Sequence, residues 1–249
     1  RERTRTLEEK NAELEQFAHI SSHDLQEPLR KIQTFAHLLK EDRVSLSDEA
    51  LDRYIDKIIT TSAGMSKLIK DLLSFTKIDR REELQILDLN EVMQQVTDDL
   101  EVLIDQSSAM IEVSELPVIK ARPLQIKQLF YNMISNSIKF KKPGTSPHVC
   151  VRSRALNKQE CSQYPHLQHD ASYHEVVIKD NGIGFEQKYA DQIFTVFQRL
   201  HTRSAYEGTG IGLSIARKVV LNHGGHVFAV ASPGNGAEFH IILPQINEE

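Results

Sequence analysis

Four short runs in this 249-residue chain hold residue types suited to phosphate chemistry. Gly208, Thr209, Gly210, Ile211 and Gly212 lead directly into Leu213 and a stretch to residue 222 with helical apolar spacing. Unpaired N–H groups at a helix start bind anions, and glycine lets the backbone come close to them. A tight loop without a ligand is the plainer reading. The Walker A pattern is absent, and no convincing strand precedes these glycines as a dinucleotide fingerprint would need. In the second run, Asp180, Asn181, Gly182, Ile183, Gly184 and Phe185 close a strand-like stretch. Asn-Gly steps make hairpin turns readily, but Phe185 is followed by helix-like rather than strand-like sequence. An Asp at a strand end beside glycines can accept a hydrogen bond from the exocyclic amine of a flat ring.

The third run sets Asn132 and Asn136 four residues apart on one helical face, with Lys139 and Phe140 next. Two carboxamides and a cation suit a Mg²⁺-bound polyphosphate, since Mg²⁺ takes hard oxygen ligands and keeps several waters. A polar face on an amphipathic helix is the alternative. The fourth run is Ser22, His23, Asp24, Leu25, Gln26, Glu27 and Pro28. His23 falls about 200° around the helix from Ser21 and from Leu25, off the apolar stripe. A neutral imidazole there is a nucleophile, and Asp24 can orient it and take its proton. Periodicity does not separate His23 from His19, which lies one turn earlier on the same face.

Two kinds of element must position these runs. Leu14, Phe17, Ser21, Leu25, Pro28, Ile32, Phe35 and Leu39 form one helical stripe, preceded by a coiled-coil-like spacing of Leu7 and Leu14. Pro28 should bend this helix just beyond His23. After a polar break at 41–47, where Ser45 and Asp48 are spaced as a capping box, a second stripe runs through Leu51, Tyr54, Ile58, Thr61, Met65, Leu68, Leu72 and Phe75. Such a helical hairpin cannot cover its own apolar face, so a homodimer forming a four-helix bundle is expected. From about residue 81 the pattern becomes α+β. Helices are expected over 89–107 and 123–141, strands near 111–113, 118–120, 149–152, 176–179, 226–231 and 238–243, and a long loop over 154–172. The expected domains are therefore 1–80 and 81–249.

Composition narrows the class. Apolar residues are 40 % and charged residues 26 % of the chain, as in ordinary globular proteins, and no apolar run approaches the roughly 18–20 residues of a membrane span. A net charge of −5 offers no footprint for nucleic acid. Cys150 and Cys161 are expected to be unpaired thiols in a reducing, cytoplasmic setting. His166, His169 and His174 sit in the polar loop region with irregular spacing and read as surface rather than as metal ligands. The chain begins Arg-Glu-Arg, without a signal peptide, and reads as part of a longer protein with a sensory domain upstream.

Taken together and in order, the runs resemble the catalytic core of a sensor histidine kinase of two-component signalling. Residues 22–30 are similar to its H box, 132–140 to its N box, 180–185 and 208–213 to its two glycine boxes, and 193–199 to its F box. The resemblance implies a dimeric four-helix bundle followed by an ATP-binding domain of the GHKL or Bergerat type, with a mixed, mostly antiparallel sheet. It implies His23 as phosphoacceptor and Asp24 as adjacent acid/base. Asn132 and Asn136 would hold Mg²⁺–ATP, with Lys139, Phe140 and Arg199 around the nucleotide. Asp180, Gly182 and Gly184 would form the adenine pocket. Gly208, Thr209, Gly210, Gly212 and Leu213 would flank a lid at 200–207 and open the phosphate-facing helix.

The implied activity is an ATP-dependent protein-histidine kinase, a phosphotransferase that labels His23 and passes the phosphoryl group to an aspartate of a response regulator. Related ATPases of the gyrase and chaperone kind carry Glu where this chain has Asn132, and an amide is no general base for water. Hydrolysis of ATP by water is thereby disfavoured, while a catalytically silent ATP-binding scaffold is the alternative. One departure is Glu27, where many members of the family have Thr or Asn four residues after the phosphoacceptor. It predicts a kinase-dominant protein with weak phosphatase activity.

Overall fold

The computed structural model describes residues 25–41, 47–77, 82–164, 167–168, 171–200 and 208–245. His23, Asp24, His19, Ser45, His166, His169, the coiled-coil positions Leu7 and Leu14, and the expected lid residues 201–207 lie outside the described residues. The chain divides into two compact units, Arg1–Ser74 and Phe75–Glu249.

The first unit holds helix α1 (residues 25–41) and helix α2 (Asp48–Lys77). The described positions of both apolar stripes are half-buried or buried, Pro28 and Leu68 among the buried ones. Phe35 of α1 stacks on Tyr54 of α2 at 5.7 Å, with the Lys57 ammonium 5.0 Å from the Phe35 ring. Ser47 caps α2, its Oγ accepting from the Ala50 N–H at 3.3 Å. Leu29, Ile55, Ile59, Ile69 and Leu73 remain exposed, an apolar face that the hairpin leaves uncovered.

The second unit is an α/β sandwich. Its main sheet has the order β2-β4-β5-β7-β6: β2 (Met110–Val113), β4 (His148–Leu156), β5 (Tyr173–Asp180), β7 (Ala237–Pro244) and β6 (His226–Ala231). β2 pairs parallel with β4, and the other pairings are antiparallel. A separate antiparallel pair joins β1 (Gln85–Asp88) to β3 (Val118–Ala121). Period-two alternation sends Val149, Val151, Val176, Ile178, Phe239 and Ile241 to one face, where they are buried beneath the helices. Those helices are α3 (Leu89–Asp99), α4 (Glu101–Ser107), α5 (Pro123–Lys139) and α7 (Gly212–Asn222). α5, the spine of the site, starts on Pro123, which needs no amide partner in the first turn, and buries Ile126, Leu129, Phe130, Met133, Ile134 and Ile138.

Three expectations need correction. The single helix over 89–107 is two, broken at Leu100, where Thr97 bonds back to Met93 and Gln94 carbonyls and the chain turns to bury the Leu100 side chain. The helix over 123–141 ends at Lys139, with Phe140 as its cap. The region 154–172 is more than a loop. β4 continues through Leu156, and a short helix α6 (Lys158–Cys161) follows, closed by an Asn157–Glu160 capping box. Leu156, Cys161, Leu167, Tyr173 and Ile242 then form a satellite core on the sheet face opposite the main helices.

Candidate active site

The last residue of β5, Asp180, points to the helix side of the sheet and is 8 % exposed. Its Oδ1 accepts from the Gly182 N–H at 2.8 Å and the Ala237 N–H at 3.2 Å, so a further donor is left to Oδ2. Burial pushes the carboxyl above its ordinary range, against the two amides that favour its charge. The Ser137 hydroxyl, 2 % exposed, favours the same charge. A buried carboxylate with an oxygen to spare fits a ligand that brings a donor.

The glycines after Asp180 are held by backbone contacts. The Phe140 carbonyl at the end of α5 accepts from the Ile183 N–H at 2.9 Å, and Gly234 donates to the Ile183 carbonyl at 2.7 Å. A Cβ on Gly182 would come within 2.5 Å of the Phe140 oxygen, and Gly184, at φ +60°, faces the Ser232 carbonyl. The strand end, the α5 terminus and the β6–β7 hairpin thus close on one another around Asp180.

Asn132, buried on α5, has its amide fixed from both ends. Its Oδ1 accepts from Gln128 Nε2 at 3.0 Å, and its Nδ2 donates to the Gly212 carbonyl at 3.1 Å, at the start of α7. Asn136 follows one turn later, half-buried. The Lys139 ammonium lies 4.3 Å from the Phe140 ring centroid, and Gly208 passes so close that a Cβ there would strike Nζ. Phe197, at φ +63°, donates its N–H to the Gly210 carbonyl at 3.0 Å, and Gly210, at φ +75°, packs against Arg199. Thr209 and Leu213 are half-buried at the same helix entrance.

The fold therefore gathers the N-box, F-box and second glycine-box residues along one side of α5 and places Asp180, Gly182 and Gly184 against its C-terminal end. The donor set suits a Mg²⁺ carried in by phosphates: two neutral carboxamides, without a carboxylate of their own, do not make a resident cation cage. Ser137, Gln128, Ala237 and Gly236 were not legible as site residues. Gly236, at φ +80°, packs onto the Asp180 carbonyl, and the signal for it was the Gly234-Asn-Gly236 turn between two strands. His174 is half-buried, and burial holds its ring below the ordinary imidazole range. Cys150 and Cys161 are free thiols.

This sheet, with its helices on one face and a glycine-framed carboxylate at the end of a central strand, is the architecture of an ATP-binding α/β domain. The chain belongs to the histidine kinase-, DNA gyrase B- and HSP90-like ATPase family, whose model matches residues 121–247, and a His Kinase A phospho-acceptor domain matches residues 13–81. The two domains in this order are those of a histidine kinase core. The phytochrome-like protein Cph1 of Synechocystis sp. is 36 % identical over 241 residues, covering 96 % of this chain and 30 % of the relative. The sensor protein kinase WalK of Staphylococcus haemolyticus is 28 % identical, covering 93 % of this chain and 37 % of the relative. The chain thus spans about a third of the length of these curated relatives. Among solved structures, histidine kinase ThkA in complex with response regulator protein TrrA matches with a TM-score of 0.70 at 22 % identity, over 96 % of this chain and 64 % of that one. Full-length ShkA in complex with AMPPNP matches with a TM-score of 0.60 at 22 % identity, over 94 % and 47 %. Among the described residues, no helix is long and apolar enough to cross a membrane.

Proposed function

We propose that this chain is an ATP-dependent protein-histidine kinase that autophosphorylates His23 and passes the phosphoryl group to an aspartate of a response regulator. Residues 1–80 would be the phosphoacceptor and dimerisation domain, and 81–249 the ATP-binding domain. Asp180 accepts the adenine amine, Gly182 and Gly184 shape its pocket, and Lys139, Arg199 and the Gly208–Gly212 amides face the phosphates. Mg²⁺ arriving with ATP would be held by the carboxamide oxygens of Asn132 and Asn136 and would offset phosphate charge. Asp24 orients His23 and takes its proton as Nε2 or Nδ1 attacks the γ-phosphorus. ADP leaves, and the bond formed is a phosphoramidate.

The observation that carries this reading is Asn132. It occupies the heart of the site as an amide bonded to Gln128 and to Gly212, and an amide takes no proton from water. The phosphoryl group is then kept for a nucleophile brought from outside, and transfer rests on positioning and charge neutralisation. The uncovered apolar face of the α1–α2 hairpin supports a homodimer. The fold shared with ThkA, solved with its response regulator bound, supports a receiver domain as partner. On this reading these residues act in the cytoplasm, whether or not the full-length protein is attached to a membrane.

The test is incubation with Mg²⁺ and γ-labelled ATP, comparing wild type with His23→Gln. The expected label is acid-labile, alkali-stable and lost in the variant. Label that persists in the variant overturns His23 as acceptor. Steady phosphate release without label would make the chain a water-hydrolysing ATPase, and nucleotide binding without label a silent scaffold.

A further inference from the structure

The sheet face turned away from α3, α5 and α7 carries a second cluster that the nucleotide site does not use. His148 and Cys150 alternate onto this face of β4, and β2 runs parallel beside them with Glu112 in register with Cys150. His148 Nε2 lies 3.0 Å from Glu112 Oε1, Cys150 Sγ lies 3.4 Å from Oε2, and Sγ and Nε2 are 3.9 Å apart. An imidazole, a thiol and a carboxylate, with their ligand atoms all within 4.8 Å of one another, are the donor set of a zinc site. Metal–ligand bonds of about 2.0–2.3 Å at tetrahedral angles put ligand atoms about 3.4–3.6 Å apart. The imidazole and the thiol meet different oxygens of Glu112, so ligation through one oxygen takes a rotation of that carboxylate among ligand atoms already within 4.8 Å of one another.

The mounting is rigid. β4 lies inside the sheet between β2 and β5, Val149 and Val151 beneath the ligands are fully buried, and the His148 N–H is fixed by Asn181 Oδ1 at 2.9 Å. His148 and Cys150 also line a cavity of 590 Å³ with Arg152, Val177 and Lys179, which leaves room for water as a fourth ligand. Thiol and imidazole donors select zinc-like ions over Mg²⁺, so the ion accompanying ATP would not compete. We propose that Glu112, His148 and Cys150 bind one Zn²⁺-class cation, which clips the edge strand β2 to β4. A hydrogen-bonded triad without an ion is the competing account.

Co²⁺ is the probe, titrated into the nucleotide-free chain. One equivalent should produce a near-ultraviolet thiolate-to-cobalt charge-transfer band with tetrahedral visible bands, and Zn²⁺ should displace it. Cys150→Ser should abolish the charge-transfer band, while Cys161→Ser, at the other thiol, retains it. His148→Ala and Glu112→Gln should each weaken binding about tenfold or more. Zn²⁺ should raise the Tm of wild type but not of Cys150→Ser, with circular dichroism confirming that each variant is folded. Absence of the band at one equivalent, its survival in Cys150→Ser, or unchanged affinity in His148→Ala and Glu112→Gln would overturn the site.

Discussion

The side-chain amide of Asn132 donates to the backbone carbonyl of Gly212 at 3.1 Å, across 80 residues of sequence. Because Gln128 donates to the other end of the same amide, the direction in which Asn132 presents its oxygen is set by its neighbours. The helix that offers the carboxamides and the helix that offers its N-terminal amides are thereby held in one arrangement.

Replacing Asn132 by Asp removes the donor and sets a carboxylate against the Gly212 carbonyl. Asn132→Asp should therefore weaken ATP binding more than Asn132→Ala does, by about a further tenfold, the cost of an unpaired charge over a lost hydrogen bond. Isothermal titration of both variants with ATP checks the order, and equal affinities would contradict it.

Asp180 should show the opposite signs for stability and binding. Since burial raises its pKa, the charged form weighs against the fold at neutral pH, and Asp180→Asn should leave Tm unchanged or higher. If Asp180 accepts the adenine amine as proposed, the amide would set a donor against a donor, and ATP affinity should fall about 10–100-fold. Wild-type affinity should likewise decline as acid protonates Asp180, beginning above the ordinary carboxylate pKa. Thermal unfolding and titration on the same sample separate the two effects.

His223, 9 % exposed, ties the end of α7 to the start of α5: its Nε2 accepts from the Arg122 N–H at 3.0 Å, and its Nδ1 lies 2.8 Å from the Val219 carbonyl. Burial holds its pKa below the ordinary 6.5, with the Arg122 charge acting the same way and Glu82 and the Val219 carbonyl opposing. The unfolded chain therefore takes up a proton that the fold resists. The stability held above about pH 6.5 is lost as pH falls toward the lower folded pKa. His223→Gln should lose less stability than wild type between about pH 7 and pH 5. Urea unfolding across that range is the check, and parallel losses would exclude His223 as the cause.

Gly236→Ala should cost about 2 kcal/mol or more, because it forces a positive φ on alanine and drives a Cβ into the Asp180 carbonyl. Gly234→Ala, at φ +79° but with nothing within 4 Å of its Cβ, supplies the comparison for φ alone. Denaturant midpoints should separate the pair, and nucleotide affinity should suffer in the first.

Glu27 pairs with Lys31 at 2.6 Å, one turn on along α1. We expect wild type to leave the decay of a phosphorylated response regulator nearly unchanged, and Glu27→Thr to accelerate it. Rapid decay with wild type would contradict the assignment of weak phosphatase activity.

Much of this was legible because it is periodic. The two helical stripes, α5 and α7 and six strands all repeat apolar residues at spacings that a single segment reveals. α6 escaped because it is a single turn, and β1 because its apolar residues Ile86 and Leu87 are adjacent rather than alternating, with Ile86 exposed. The satellite core escaped because Leu156, Cys161 and Ile242 meet only through the sheet's pairing. Gly236 and Ala237 gained their place around Asp180 from the antiparallel register of β5 and β7, a long-range fact absent from either segment. Glu112, His148 and Cys150 escaped for the same reason: their sequence spacing holds no ligand pattern until β2 lies beside β4.

The Phe197 N–H to Gly210 carbonyl bond has a consequence for how this chain can vary. It pins together the two ends of the segment 198–209, so the span between the anchors is fixed whatever that segment contains. The entropy of closing a chain segment grows only slowly with its length, by about 0.6 kcal/mol for each doubling. A change in the number of residues between these two anchors should therefore cost the fold little.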